Sequence, residues 1–319
     1  MNIIGNRYWF FGLSLLIIIP GLIALALGGL KPSIDFTGGT ILELRFASGS
    51  APSITDVQIA IAEVKMADSE ASLGNVQVQT IGSNLIGSTP DGLVMRMREL
   101  DTATKNLVLS KMRGTFGEFI VQMEDNVGAS VGGEVAQRAM GAVALAAIGI
   151  ALYVWFAFRK LPHAFRYGLA AVASLTHDAL VLLGLEAILG LLLGWEADSL
   201  FLTAVLTVIG FSVHDTIVVF DRIRENQAKY RSVEFERVVN HSIVQTLDRS
   251  INTTLTVLFT LFALVLFGGV TTQHFIIILL IGMASGAYSS IFNAAAILVV
   301  WENREWERWF SRRRSSTAG

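Results

Sequence analysis

Residues 208–226 read VIGFSVHDTIVVFDRIREN. An apolar run carries a His–Asp pair in its middle and closes in a burst of charge. What that run is decides the fold. The whole chain supplies the answer: 319 residues, 53% hydrophobic and 16% charged, where a soluble globular protein carries about 25% charge. The shortfall points to a membrane protein. A net charge of −2 gives no basic field for nucleic acid. With no cysteine, disulfides, thiolate metal sites and cysteine nucleophiles are excluded.

A spanning helix needs roughly 20 mostly apolar residues. Six stretches qualify, at about 9–30, 138–158, 167–190, 199–220, 250–268 and 275–301. The first is longer than a signal-peptide apolar core and has no convincing cleavage site, so it is read as a retained helix carrying Pro20. Orientation follows from Lys and Arg. The connections near 159–166 and 222–237 hold Arg159, Lys160, Arg166, Arg222, Arg224, Lys229, Arg231 and Arg237. The tail adds Arg304, Arg308 and Arg312 to Arg314, whereas GWEADS (194–199) and GGVTTQH (268–274) hold none. Positive loops stay cytoplasmic, so both termini are expected inside and the segment after the first span outside.

That segment, 31–137, is mildly acidic, with 8 Lys and Arg against 13 Asp and Glu. GTILELRF alternates, with Leu42, Leu44 and Phe46 on one face, and NVQVQTI, LVMRMR and FIVQME read as three more strands. Ser53 is placed to cap a helix burying Val57, Ala60, Ile61 and Val64, and Asp101 one burying Leu107, Val108 and Met112. The order β-α-β-β-α-β predicts a ferredoxin-like split βαβ domain. It holds no phosphate loop, metal cluster or catalytic triad, which favours an interaction module over an enzyme domain. The expected architecture is a polytopic α-helical membrane protein with six transmembrane helices and a small α+β extracytoplasmic domain between the first two. The expected divisions are 1–30, 31–137, 138–303 and a basic cytoplasmic tail, 304–319.

The buried acid can now be weighed. If the fourth span ends at 220, Asp215 lies about 8–9 Å from its cytoplasmic end. A charge at such depth costs about 2.5–3.5 kcal/mol on insertion scales, and such residues face the bundle interior or a wet cavity. Polar glue between helices is one reading; ion or proton handling is favoured over it. LDRSINTTLTVL (247–258) opens the fifth span and places Arg249 at the same level. Paired, Arg249 favours the Asp215 carboxylate; separated, desolvation favours its protonated form. Movement that parts and rejoins them carries a proton, whereas a static ion pair carries none.

Asp178, with His177 beside it, lies mid-way along the third span, and glue and function are equally supported there. His177 and His214 are candidate relays, with helix contacts the favoured role. No spacing of these groups suits a metal. Glu186 sits near the outer end of its span, placed to snorkel. Gly282, Gly286, Ser290 and Ala294 recur every fourth residue in the sixth span and predict close helix packing. DRIREN (221–226) reads as a solvated anchor, and 222–240 as a polar helix along the membrane surface. The tail WENREWERWFSRRR combines Trp anchors with an Arg cluster suited to anionic headgroups.

DFTGGT (35–40), VIGFSVHDTIVVFDRIREN, TLDRSINTTLTVL and IGMASGAYSSIFNA, in this order, resemble the SecF family. SecF is the smaller subunit of the SecD–SecF protein-export complex and is similar in architecture to half of an RND-type transporter. The resemblance covers nearly the whole chain. It implies pairing with SecD, association with the SecYEG channel, and use of the proton gradient to draw unfolded preproteins across the bacterial inner membrane, with no cofactor. The family's proton-path residues fall on Asp215 and Arg249. Two departures stand out: His214 replaces a common Asn, and Asn293 with the alanines after it replaces a more apolar stretch. Two other functions stay open, half of an RND-type small-molecule or lipid exporter and a channel-stabilising subunit without proton flux. The coupling ion, H⁺ or Na⁺, is not fixed by the sequence.

Overall fold

Hydrocarbon offers backbone groups no water, so a spanning segment must satisfy its own N–H and C=O groups. The computed structural model, which describes residues 2–47, 49–67, 73, 76–82, 90–159, 164–268, 270–305 and 307, meets that demand with long helices. In chain order the elements are α1 (Arg7–Gly28), α2 (Ile34–Thr37), β1 (Gly39–Phe46), α3 (Ile54–Ala67), β2 (Gln77–Gly82), β3 (Pro90–Met97), α4 (Thr102–Phe116) and β4 (Phe119–Val127). Then come α5 (Ala129–Phe158), α6 (Ala164–Leu193), α7 (Ser199–Lys229), α8 (Phe235–Phe267), α9 (Val270–Tyr288), a π-helical segment (Ser289–Ala294) and α10 (Ala295–Glu302). Among the described residues, six helices are long and apolar enough to cross a membrane, in the stretches Ile4–Gly28, Ala129–Phe158, Ala164–Leu193, Ser199–Lys229, Phe235–Phe267 and Thr272–Glu302. Pro20 lies within α1.

The chain divides into two compact units, Pro32–Gly141 and the remainder. In the smaller unit four antiparallel strands lie in the order β2-β3-β1-β4. Leu42, Leu44 and Phe46 share one core with Val57, Ile61 and Val64 of α3 and Val108 and Met112 of α4. Ser53 Oγ accepts from the Asp56 amide, and the Asp101 carboxyl caps α4 through the Ala103 and Thr104 amides. Leu107 departs from the expected core face: it is exposed, and Leu109 and Phe116 pack against the core instead. Glu43, between two buried leucines, is itself buried, and burial holds its carboxyl above the usual carboxylate range. At the entrance to β1, Gly38 and Gly39 have φ of 73° and 143°. A Cβ on Gly38 would sit 2.4 Å from the Ala129 Cα, so glycine is required there for both backbone shape and space.

The larger unit corrects two expected boundaries. α7 does not stop at 220 but runs to Lys229, and α8 begins at Phe235 rather than 250. Residues 222–240 therefore form no separate surface helix; they are the two arms of one hairpin. Its cause is polar packing hidden in the charge pattern. Asn226 is buried, and its Nδ2 donates to Ser242 Oγ and Gln245 Oε1, both at 2.9 Å. Arg222 donates to Gln245 at 2.7 Å and to Glu225 at 2.7 Å. At the end of the bundle that carries the termini, Asn240 Oδ1 accepts from the Ile3 amide at 2.7 Å. Arg7 joins Glu236 at 3.0 Å and Glu305 at 2.6 Å. Burial pushes the Glu305 carboxyl up, but hydrogen bonds from Tyr8 and Arg7 outweigh it and hold the group below the usual range. Arg308 and Arg312 to Arg314, and with them most of the basic tail, lie outside the described residues, as does Lys160.

α1 and α6 meet through facing glycines: a Cβ on Gly184 would lie 2.6 Å from the Gly21 Cα. Close backbone approach is how helices gain contact where lipid supplies no hydrophobic drive. Gly184→Val should therefore destabilise the chain by about 1–3 kcal/mol through overpacking. Gly149→Ala, with no neighbour within 4 Å of its added Cβ, should leave stability nearly unchanged. Thermal unfolding of both variants in detergent checks the difference.

Candidate functional site

Two apolar clusters fill the larger unit. One holds Leu182, Val208, Ile278 and Met283; the other holds Ala171, Val219, Phe220 and Ile291. On α6 and α7, and along the helix formed by α9 and α10, the residues lying between the clusters are polar. Asp178 is 0% exposed and Asp215 4%. Ser174, His177, Ser212, Thr216, Ser289, Ser290 and Asn293 are buried with them.

Helix geometry sets their level. Asp178 is 14 residues from the start of α6 (178 − 164), Asp215 14 from the end of α7 (229 − 215) and Arg249 14 from the start of α8 (249 − 235). At 1.5 Å per residue each is about 21 Å from the helix end on the termini side. The depth of about 8–9 Å expected for Asp215 runs only to the end of the apolar run at 220; the helix itself continues to Lys229.

Within this polar layer Asp178 is the best-connected acid. Its Oδ2 accepts from Ser212 Oγ at 2.5 Å and from Ser289 Oγ at 2.8 Å. Its Oδ1 lies 3.0 Å from His177 Nδ1. Adjacent helical side chains point about 100° apart, yet the imidazole turns back onto its own neighbour. The hydroxyls cluster: Thr216 donates to Ser290 Oγ at 3.0 Å, Ser290 donates to the Ser212 carbonyl at 2.9 Å, and Ser212 donates to Asp178, with the Ser290 and Ser212 oxygens 3.1 Å apart. The π-helical segment is what makes this possible, since it presents Ser289 to Asp178 and Ser290 to α7 from consecutive positions. Such single-turn bulges recur at functional sites. Asn293, in the same segment, donates to Ser14 of α1 at 2.7 Å.

Asp215 is placed differently. Its Oδ2 is buried without a hydrogen-bond partner among the described residues. Arg249 and His214 act on it through space, but no hydrogen bond or ion pair joins either to it among the described residues. His214 and Arg249 both lie exposed on the bundle surface. The structure thus brings Asp178 together with His177, and leaves Asp215 and Arg249 without a hydrogen bond or ion pair between them among the described residues. Gly282 and Gly286 make room for neighbours: an added Cβ would lie 2.6 Å from Val208 Cγ2 in the first case and 3.2 Å from Ser212 Cβ in the second. Among the described residues no three His, Asp or Glu side chains converge as metal ligands.

Of the hydroxyls in this layer the sequence singles out only Ser290, as a packing residue; Ser212, Thr216 and Ser289 escape it. Their signal was present: Ser212 and Thr216 are four apart on one helix face, inside an otherwise apolar run. Glu186 was also misjudged. It does not snorkel but is 2% exposed, with Oε2 held 2.9 Å from His274 Nε2. Removing the acceptor of the polar layer tests its weight. Asp178→Ala leaves the Ser212 and Ser289 hydroxyls without their acceptor and should cost about 1–3 kcal/mol. Asp178→Asn keeps an acceptor oxygen and should cost less; thermal midpoints of the two variants measure the gap.

Residues 108–304 match the family model described as protein export membrane protein SecD/SecF, C-terminal, and residues 23–49 match the SecD/SecF GG motif. The chain is 48% identical over 314 residues to the protein translocase subunit SecF of Anaerolinea thermophila, covering 98% of this chain and 97% of that protein. It is 32% identical over 313 residues to the protein translocase subunit SecDF of Bacillus subtilis, covering 94% of this chain and 38% of that one. Among solved structures it resembles the SecDF of Thermus thermophilus, described as a translocon-associated membrane protein, with a TM-score of 0.78 and 28% identity. That match covers 95% of this chain and 39% of the solved chain. A SecDF in a super-membrane-facing form matches with a TM-score of 0.65 and 28% identity, over 98% and 40% of the two chains.

Proposed function

The chain belongs to the SecD/SecF family of protein export membrane proteins, and from that premise we propose that it is the SecF-type subunit of a proton-driven protein translocase. It pairs with a SecD-type chain, works beside the SecYEG channel in the bacterial inner membrane, and helps draw unfolded preproteins outward. It is an accessory transport subunit, not an enzyme. Both termini face the cytoplasm, in keeping with the positive loops. The 31–137 segment faces outside as a ferredoxin-like domain, a reading supported by the β-α-β-β-α-β order and the strand order β2-β3-β1-β4.

The observation that carries this reading is the buried Asp215 carboxyl with an unpartnered oxygen, level with a guanidinium that no hydrogen bond or ion pair joins to it among the described residues. A structural ion pair would be closed. An open one favours a carboxyl that exchanges its proton as the neighbouring charge approaches and recedes. Each proton moved down 100 mV supplies about 2.3 kcal/mol. Asp178, with the hydroxyls that donate to it, is the second proton-holding group, and His177 and His214 are the adjoining relay positions. Gly282, Gly286 and Ser290 let the helices carrying these groups pack closely enough to share them. An Arg and a His exposed mid-helix would be costly against lipid, by about 2.5–3.5 kcal/mol for the Arg. Burial of that surface by the SecD-type partner removes the difficulty. The Bacillus and Thermus relatives, in which SecDF is one chain, support the pairing.

Asp215→Asn keeps the side-chain size and removes the titration. Export into inverted membrane vesicles should keep its ATP-driven part and lose its stimulation by the proton gradient. Unchanged stimulation would point to a channel-stabilising subunit, and restored drug resistance in a sensitive host would point to an exporter.

A further inference from the structure

Asp178, Leu182 and Glu186 lie four residues apart and share one face of α6. They make a column of acid, apolar plug and acid, read from the middle of the helix toward its end at Leu193. The upper acid is built into a site. Glu186 is 2% exposed, its Oε2 lies 2.9 Å from His274 Nε2, and its Oε1 is buried with no hydrogen-bond partner among the described residues. The His274 ring lies against Trp195 at a tilt of 50°, with centroids 4.2 Å apart. The His274 side chain is 22% exposed and the Glu186 side chain 1%, so the pair reaches the bundle surface through the imidazole.

Few charged groups lie along the neighbouring spans. α1 carries no charge between Arg7 and Lys31, and neither do α7 before His214 and α8 after Arg249; α9 carries only His274. At the helix ends, Lys31 Nζ is held on the Gly190 carbonyl at 2.8 Å and Asp198 on the Phe201 amide at 2.6 Å, with Glu196 in the same connection. Below Glu186, Leu182 is fully buried and seated over Gly282, where a Cβ would lie 2.8 Å from Leu182 Cδ2. Eight residues, about 12 Å, separate Glu186 from Asp178. No direct hydrogen bond spans that gap, and a water needs two to four polar partners that Leu182 denies it.

We propose that Glu186 and His274 form the proton-loading site on the outer side of this chain, and that Leu182 on Gly282 is the plug isolating it from Asp178. The proposal rests on the reading that this end of the bundle faces outside and that the chain is driven by protons. A proton taken from the outer water by His274 is shared with Glu186, and it reaches Asp178 only when Leu182 leaves its seat. The glycine gives the plug a place to sit without blocking the sliding of α9 past α6.

The test uses the full chain with its SecD-type partner in vesicles whose inner and outer pH are set separately. Dicyclohexylcarbodiimide, which modifies protonated carboxyls in apolar surroundings, is the probe, and mass spectrometry reads each acid. In the unaltered protein, modification of Glu186 should rise as the pH on the outer side falls and ignore the pH on the other side. His274→Gln should shift that dependence. Glu186→Gln should abolish gradient-stimulated export, and Leu182→Ala should raise proton leak through the resting complex. Labelling of Glu186 that follows the termini-side pH, or that ignores both, overturns the proposal, as does full stimulated export by Glu186→Gln. Asp215→Asn, tested alongside, separates the two claims. If it loses stimulation while Glu186→Gln keeps it, the loading site fails and the proton-driven reading stands; if both keep it, the reading itself fails.

Discussion

The bundle is organised by a carboxyl that three polar side chains satisfy inside hydrocarbon. Asp178 draws hydroxyls from α7 and from the π-helical segment, and an imidazole from its own helix. A buried charge without such partners would be far costlier than the apolar packing around it could offset. Once those partners are required, much else follows. α9 must approach α6 and α7 closely, so glycines stand at 282 and 286. The helix must present neighbouring serines to two directions, so it widens into a π turn at Ser289–Ala294.

The result is a polar layer between two dry ones. Val208 and Met283 close it on one side, Phe220 and Ile291 on the other. Low dielectric strengthens every charge interaction within such a layer and penalises any that is left open. Asp178 is closed and Asp215 is open, although both are 14 residues from their helix ends on the termini side. Two acids at one level with opposite degrees of satisfaction are suited to different tasks. The closed one ties α6 to α7 and to the π-helical segment; the open one keeps a carboxyl oxygen without a hydrogen-bond partner among the described residues.

The six spans were legible because length and apolarity are properties of single segments, and the four strands because alternation is too. The caps at Ser53 and Asp101 could be read for the same reason. What escaped was set by contacts between segments. The α7–α8 hairpin passed for a surface helix because the partners of Asn226, Ser242 and Gln245, lie on the other arm. Glu186 passed for a snorkelling acid because His274 is 88 residues away in the chain. Leu107 was assigned to the core by its chemistry, although the turn of α4 exposes it. Asp215 and Arg249 each lie 14 residues from their helix ends, and no periodicity reports that the first is buried and the second exposed.

The central claim is that Asp215 gains and loses a proton as the complex works. Infrared difference spectroscopy of the chain with its SecD-type partner, with and without an imposed proton gradient, addresses it directly. A carbonyl band of a protonated carboxyl that appears with the gradient, and is missing from the Asp215→Asn protein, is the result this account predicts. A carboxylate signature for Asp215 that stays ionised under both conditions would contradict it.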